Sequence, residues 1–156
     1  MGRTEYLDDP DAPIPNRIVP AATAFVQDAE GAVLLIQRSD NRLWAMPGGT
    51  QDIGESIATA AERETLEETG FRVRVTGLIG VYSDPRIVIA YDDGEIRQQF
   101  VLAFRAVLEG GELATSDESP CVRWVRPEDL DALPIHPTVR LRLDHALADL
   151  AAPYIG

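Results

Sequence analysis

Apolar residues recur along this chain with two periods, and the change from one to the other marks its elements. Short runs rich in β-branched and small apolar residues occupy residues 17–26 and 32–36, separated by Asp28-Ala29-Glu30-Gly31. They predict two strands joined by a turn. Leu43-Trp44-Ala45-Met46 is apolar and stops at Pro47-Gly48-Gly49. Residues 56–69 then switch to helix formers with few breakers, with Ser56 suited to the N-cap and Gly70 to the position just past the end. Phe71-Arg72-Val73-Arg74-Val75 alternates strictly, as a half-buried strand does. Further strands are expected over residues 78–82, 86–91, 100–108 and 122–125, with Asp92-Asp93-Gly94-Glu95 as a hairpin turn. A short helical turn follows Pro127, and a last helix opened by Pro137 carries Val139, Leu143, Ala146, Leu147 and Leu150 at helical spacing.

This order of strands, helix, strands and helix predicts an α/β fold of the α+β kind: a mixed sheet with helices packed on it, in α/β/α layers. Residues 1–16, interrupted by Pro10, Pro13 and Pro15, read as an irregular N-terminal arm, and residues 17–156 as a single domain. The chain of 156 residues is long enough to bury a core without staples.

Charge and composition narrow the function classes. The net charge of −12 argues against a nucleic-acid polymer as partner, because such binding rests on many Lys and Arg side chains neutralising phosphates. All 14 cationic side chains are arginine, which removes a P-loop lysine and Schiff-base chemistry. A single cysteine, Cys121, leaves no intrachain disulfide or cysteine-rich metal site. No apolar run reaches the ~20 residues of a membrane span, and the acidic start lacks a signal peptide's apolar stretch, so a cytoplasmic location is expected. His136 and His145 stand nine apart and do not form a metal pair.

The chemistry concentrates on the first helix. Glu64, Glu67 and Glu68 lie at i, i+3 and i+4, within an arc of roughly 100° that also carries Ile57, Ala60 and Ala61. Like charges at these spacings repel by ~0.2–0.5 kcal/mol per pair on an exposed helix, and more near an apolar surface. Arg63, four residues before Glu67, relieves part of this, and a hard divalent cation would relieve the rest. On the helix alone, a solvated acidic face explains the same residues.

The flanking residues decide between these readings. Gly49, Glu55, Arg63, Glu64, Glu67, Glu68 and Gly70, followed by Phe71, stand in the order and spacing of the Nudix box. Seven such positions match by chance in a chain this long with a probability of about 10⁻⁶ at ordinary residue frequencies. Leu34-Leu35-Ile36-Gln37-Arg38 before the box, and Val122-Arg123-Trp124-Val125 after it, extend the resemblance to roughly residues 18–150. The chain therefore resembles the MutT-like Nudix hydrolases. Thr65 departs from the pattern at an apolar position, and Asp52 stands where a Glu is common.

The resemblance implies a Nudix-type α/β/α sandwich, and Mg²⁺ or Mn²⁺ held by Glu64, Glu67 and Glu68 with the carbonyl of Gly49. Arg63 would orient these acids, and Glu64 or Glu118 would be the general base. The implied reaction is hydrolysis of a pyrophosphate bond in a small phosphorylated nucleotide-like substrate, with Arg38, Arg86 and Arg97 as candidate phosphate contacts. Pro85 stands about fifteen residues past Gly70, resembling a position associated with ADP-ribose pyrophosphatases. That leans the substrate toward ADP-ribose or a similar nucleotide sugar. Nucleoside triphosphates, oxidised or not, are the alternative. A non-catalytic nucleotide-sensing domain on the same scaffold is the rival of another class, and the intact acids speak against it. An isomerase of the related isoprenoid type would need a cysteine placed differently from Cys121. A homodimer is an expectation from the resemblance alone, and no membrane partner is expected.

Overall fold

The computed structural model describes residues 2–156. Its frame is a five-stranded mixed sheet in the order β12-β7-β10-β3-β6, made of Tyr154–Ile155, Phe71–Tyr82, Val101–Gly111, Ala21–Val26 and Gly48–Thr50. β3 and β10 run parallel, as do β12 and β7, while β7 is antiparallel to β10 and β6 to β3. The expected pair of strands at residues 71–75 and 78–82 is one strand, β7. Register shifts along its pairing with β10 carry the ladder past Thr76-Gly77 instead of breaking it.

Side chains alternate across this sheet and divide the core between two helices. On one face Phe25, Ile79, Tyr82, Val101 and Ala103 pack with Leu143 and Ala146 of α2, which spans Pro137–Ala148. On the other face Ala22 and Phe104 pack with Ala61 and Ile57 of α1, which spans Ile57–Thr69. The helices thus lie on opposite faces, giving the α/β/α layering. A second sheet, β11-β4-β5 (Cys121–Val125, Val33–Gln37 and Trp44–Ala45), adds Val33, Leu35 and Trp44 to the α2-side core. No helix among the described residues is long and apolar enough to cross a membrane.

The third sheet, β1-β8-β9-β2, revises the reading of the N-terminus. Residues 3–7 are not irregular: Arg3–Leu7 forms β1, antiparallel to β8 at Ile87–Tyr91 from Arg3↔Tyr91 to Leu7↔Ile87. Arg-Thr-Glu-Tyr-Leu has no apolar alternation to signal a strand, and the backbone ladder to β8 supplies the pairing instead. The Pro-rich stretch after it stays irregular until β2 at Arg17–Ile18, which pairs with β9 at Ile96–Gln98. Val19-Pro20 separates β2 from β3, so the apolar run over residues 17–26 serves two sheets.

Gly70 ends α1 in the left-handed region at φ 78, and its amide donates to the Leu66 carbonyl. A Cβ there would also collide with the backbone of Glu112. Gly70→Ala should therefore destabilise the fold by at least ~1–2 kcal/mol, the cost of a left-handed non-glycine residue before any clash. Urea unfolding of the two proteins measures this, and an unchanged midpoint would mean that the helix end relaxes freely.

Candidate active site

Helix α1 is built to present acids toward the edge of the sheet. Ser56 caps it, accepting from the Thr59 amide at 3.1 Å. Ala60 and Ala61 are fully buried and let the helix lie close on β3. Thr65, which departs from the apolar pattern, is fully buried and its hydroxyl donates to the Ala61 carbonyl at 2.7 Å. Its polar group is thereby satisfied inside the helix. Leu66, on the outer side of the helix, is 44% exposed.

Two glycines of β6 let the acids approach the backbone. A Cβ on Gly48 would collide with the Ala22 carbonyl, and one on Gly49 would collide with the Glu64 carboxyl group. The Gly48 amide donates to Glu68 Oε1 at 2.8 Å, and Ser119 Oγ donates to Glu68 Oε2 at 2.9 Å. Glu68 is 6% exposed. Burial pushes its pKa up to about 7, opposed by these two hydrogen bonds and assisted by the nearby charge of Glu64. Burial also raises Glu64, whose neighbour Arg63 opposes the rise while Glu67 and Glu118 add to it.

Arg63 organises the remaining charges. Its Nε and Nη2 bind both oxygens of Glu55 at 2.9 and 2.8 Å, and Nη2 also reaches the Thr50 carbonyl at 3.1 Å. Its Nη1 binds Glu64 at 3.0 Å and Glu67 at 3.2 Å. The hydrogen bond from Arg63 holds the Glu55 pKa down to about 2. Glu67 is drawn outward by this bond and its side chain is 57% exposed. Among the described residues no three carboxylate, His or Cys side chains converge into a ready metal cage. Of the three acids, Glu64 and Glu68 line the cavity and Glu67 stands beside them, bound to Arg63.

These residues fit a hard divalent cation. The donors are carboxylate oxygens with raised proton affinity, one of them pressed against a glycine that has no room for a side chain. Mg²⁺ is commonly held by one or two carboxylates with water and substrate oxygens completing its shell.

The acids open into a cavity of about 470 Å³, within the ~300–1,000 Å³ common for small-molecule sites. Glu64, Glu68, Gly49 and Glu118 line one part of it. Arg38 also lines it, forked on Asp40 at 3.0 and 2.8 Å. Burial opposes the Arg38 charge, but Asp40, Glu68 and Glu5 together raise its pKa. Arg97 reaches the cavity too, bound to Glu95 and lying 4.5 Å over the Tyr91 ring. Arg86 does not: its side chain is 65% exposed and held by Asp84 in the turn that contains Pro85. Trp44 and Tyr82 are core residues at 5% and 3% exposure. His136 caps α2 through Thr138, and His145 Nδ1 lies 2.8 Å from the Tyr82 hydroxyl. Sequence reasoning missed Glu5, Gln99 and Arg142 at this cavity, and the buried Ser119 that holds Glu68. None belongs to a motif, and only the fold brings them together.

A layered α+β domain that opens a carboxylate-lined, glycine-floored cavity has the donors to seat a small ligand beside a divalent cation. The sequence profile of the NUDIX domain matches residues 17–146. The chain is 35% identical over 127 residues to a "MutT-like protein" of Streptomyces ambofaciens, covering 80% of this chain and 75% of that one. It is 33% identical over 122 residues to an "ADP-ribose pyrophosphatase" of Methanocaldococcus jannaschii, covering 76% of this chain and 63% of that one. It is 33% identical over 109 residues to the "Nucleoside triphosphatase NudI" of Escherichia coli O139:H28, covering 65% and 77%. The solved NUDIX hydrolase from Nitrosomonas europaea superposes with a TM-score of 0.70 at 19% identity, covering 88% of this chain and 93% of that one. The chain belongs to the NUDIX family and is one of its pyrophosphohydrolases.

The raised pKa of Glu68 has a stability consequence in metal-free protein. Folding binds a proton more tightly than the unfolded chain does, so this group's contribution is full below about 4.5 and is lost as pH rises through about 7. At pH 8 the buried carboxylate costs roughly 3 kcal/mol by this linkage. Glu55 acts in a separate window: its contribution is present above about 4.5 and is lost as pH falls through about 2. In the presence of a chelator, Glu68→Gln should melt higher than the native chain at pH 8, with the difference shrinking toward pH 5. Equal melting differences at both pH values would contradict the buried, proton-avid Glu68.

Proposed function

We propose that this chain hydrolyses, with a divalent metal ion, a pyrophosphate bond in a nucleoside diphosphate linked to another moiety, ADP-ribose or a similar nucleotide sugar being the favoured class. The observation that carries the proposal is the single cavity joining the Glu64–Glu68 pair to a polar far end built from other elements. Such a cavity suits a substrate with reactive phosphates at one end and an organic group at the other. The name of the archaeal relative, an ADP-ribose pyrophosphatase, supports the same class. The name of the Escherichia coli relative supports nucleoside triphosphates as the second reading. The retained Arg63, Glu64, Glu67 and Glu68 weigh against a non-catalytic sensing role. Residues 17–156 would form the hydrolase unit, with β1 as an added wall of its cavity.

Glu64 and Glu68 would hold the metal, Mg²⁺ or Mn²⁺, with Glu67 and the Gly49 carbonyl as further oxygens beside them. The metal would supply positive charge to the phosphate oxygens and lower the pKa of the attacking water. Arg63 keeps the acids from splaying apart. Arg38 is placed to meet a phosphate oxygen at the cavity wall. Water attacks phosphorus, the bond to the bridging oxygen breaks, and that oxygen leaves on the second phosphate product. The proton of the attacking water goes to a carboxylate. Glu118 is a candidate for that role, since it lines the cavity and its loop is tied down by the Ser39 amide to the Glu118 carbonyl at 3.1 Å. Glu64 is the other.

Incubation with Mg²⁺ or Mn²⁺ and a panel of ADP-ribose, other nucleotide sugars, dinucleoside polyphosphates and nucleoside triphosphates tests this directly. Turnover should be strongest on a nucleotide sugar, stop without metal, and fall at least ~100-fold in Glu68→Gln, the usual scale for removing a key charge-stabilising group. Preference for a triphosphate would select the second reading. Turnover indifferent to Glu68→Gln would sink the metal assignment.

A further inference from the structure

The far end of the cavity holds two polar side chains that are buried without being satisfied by the protein. Arg142, on α2, is 7% exposed, and its Nε donates to the Thr138 carbonyl at 3.2 Å. Among the described residues its two terminal nitrogens have no hydrogen-bond or carboxylate partner within reach. Gln99, between β9 and β10, is 4% exposed, and its side-chain amide is likewise unpartnered while its backbone amide bonds to the Ile87 carbonyl. Both residues line the cavity, and neither is among the polar atoms sealed away from it.

They belong to one region. The Arg142 guanidinium lies 5.7 Å from the Tyr82 ring, and Tyr82 pairs with Val101, two residues after Gln99. This region is apart from the acids of α1. The charges that act on Arg142 are those of Glu5 and Arg3 on β1, not of Glu64 or Glu68. Glu5 is not paired with it: no Glu5 oxygen lies within 4.0 Å of the Arg142 nitrogens, one of those oxygens takes Arg3, and the other faces His136 Nε2 at 3.3 Å. A buried guanidinium with donors to spare is costly to keep unless something else accepts from it. Burial lowers the Arg142 pKa to about 10, still leaving it charged at neutral pH.

We infer that Arg142 and Gln99 form a second subsite that selects, on the moiety beyond the pyrophosphate, a group rich in hydrogen-bond acceptors. The inference rests on the hydrolase reading for the word substrate, but the subsite itself needs neither metal nor turnover. The shared chemistry is an oxygen acceptor presented to a fixed, planar guanidinium. An exocyclic carbonyl of an oxo-base and a carboxylate of an acidic sugar both supply it. Gln99 adds one acceptor and two donors for the atoms beside that oxygen. Arg142 and Gln99 are specificity-determining residues in this account and take no part in bond cleavage.

Matched pairs of small ligands separate the sources. Binding of inosine 5′-monophosphate against purine riboside 5′-monophosphate isolates the carbonyl, and glucuronate 1-phosphate against glucose 1-phosphate isolates the carboxylate. Calorimetry on the full chain in the presence of a chelator measures each without turnover. The native chain should favour the acceptor-bearing member of one pair by about tenfold or more, the usual scale for a hydrogen bond to a charged group. The favoured pair names the source. That preference should collapse in Arg142→Met, while the melting temperature holds or rises because a buried charge has been removed. Gln99→Leu should weaken the same preference and serves as the probe if Arg142→Met does not fold. Equal or undetectable binding within both pairs overturns the proposal. So does a preference that survives in the folded variants, which would leave Arg142 a merely structural residue. Loss of hydrolysis across the substrate panel, with these preferences intact, would fault the catalytic reading alone.

Discussion

The site depends on one guanidinium. Arg63 binds Glu55, Glu64, Glu67 and the Thr50 carbonyl through a single side chain, and no other cation on α1 could replace it. Glu64, Glu67 and Glu68 on one helix face repel one another, and the repulsion grows as the surroundings lose water. A planar fork with five donors can bind several carboxylates at fixed angles, which a lysine ammonium could not do. The result sorts the acids by role. Glu55 is held fully ionised, Glu67 is pulled toward solvent, and Glu68 is left inside with a raised pKa. The proposed metal site at Glu64 and Glu68 rests on this sorting.

The second constraint is steric. Gly48 and Gly49 bring β6 against β3 and α1 with no space for a Cβ, so backbone and carboxylates share one small volume. Glu68 is fixed there from two sides, by the Gly48 amide and by Ser119 on the loop that also carries Glu118. That loop therefore belongs to the acid-lined end of the cavity, while β1 and α2 furnish other parts of its wall. Two helices on opposite faces of the sheet both line the one cavity, Glu64 and Glu68 from α1 and Thr138, Val139 and Arg142 from α2.

How legible this was in the sequence varied with the physics of each feature. Helix α1 carried its own signals: a Ser56 cap, a Gly70 stop and acids at fixed spacing, all set by local geometry. The acids of α1 and Arg63 were readable for the same reason, since their spacing is a property of one helix. Strand β1 was not readable, because its pairing comes from the backbone of β8 and its side chains are polar. The join of residues 71–75 and 78–82 into one strand depends on bulges in β7 itself, where Thr76 and Ile79 have no partner in β10. Arg38 and Arg97 reach the cavity while Arg86, equally plausible by residue type, turns onto Asp84. Arg142 sits on an amphipathic helix where an arginine looks like a surface residue, yet it is buried beside Tyr82 of β7. Local chemistry was visible; convergence of distant segments was not.

The central claim is that the acids bind metal because Arg63 and the glycine floor hold them in place, and not merely because they are acids. Titration of Mn²⁺ into the native chain and into Gly49→Ala, followed by electron paramagnetic resonance, tests it most directly. The substitution removes no ligand atom but puts a methyl group where the Glu64 carboxyl now lies. The account predicts metal affinity at least ~10-fold weaker in the folded variant, the scale seen when supporting contacts of a metal site are disturbed. Mn²⁺ bound equally well by both proteins would contradict it.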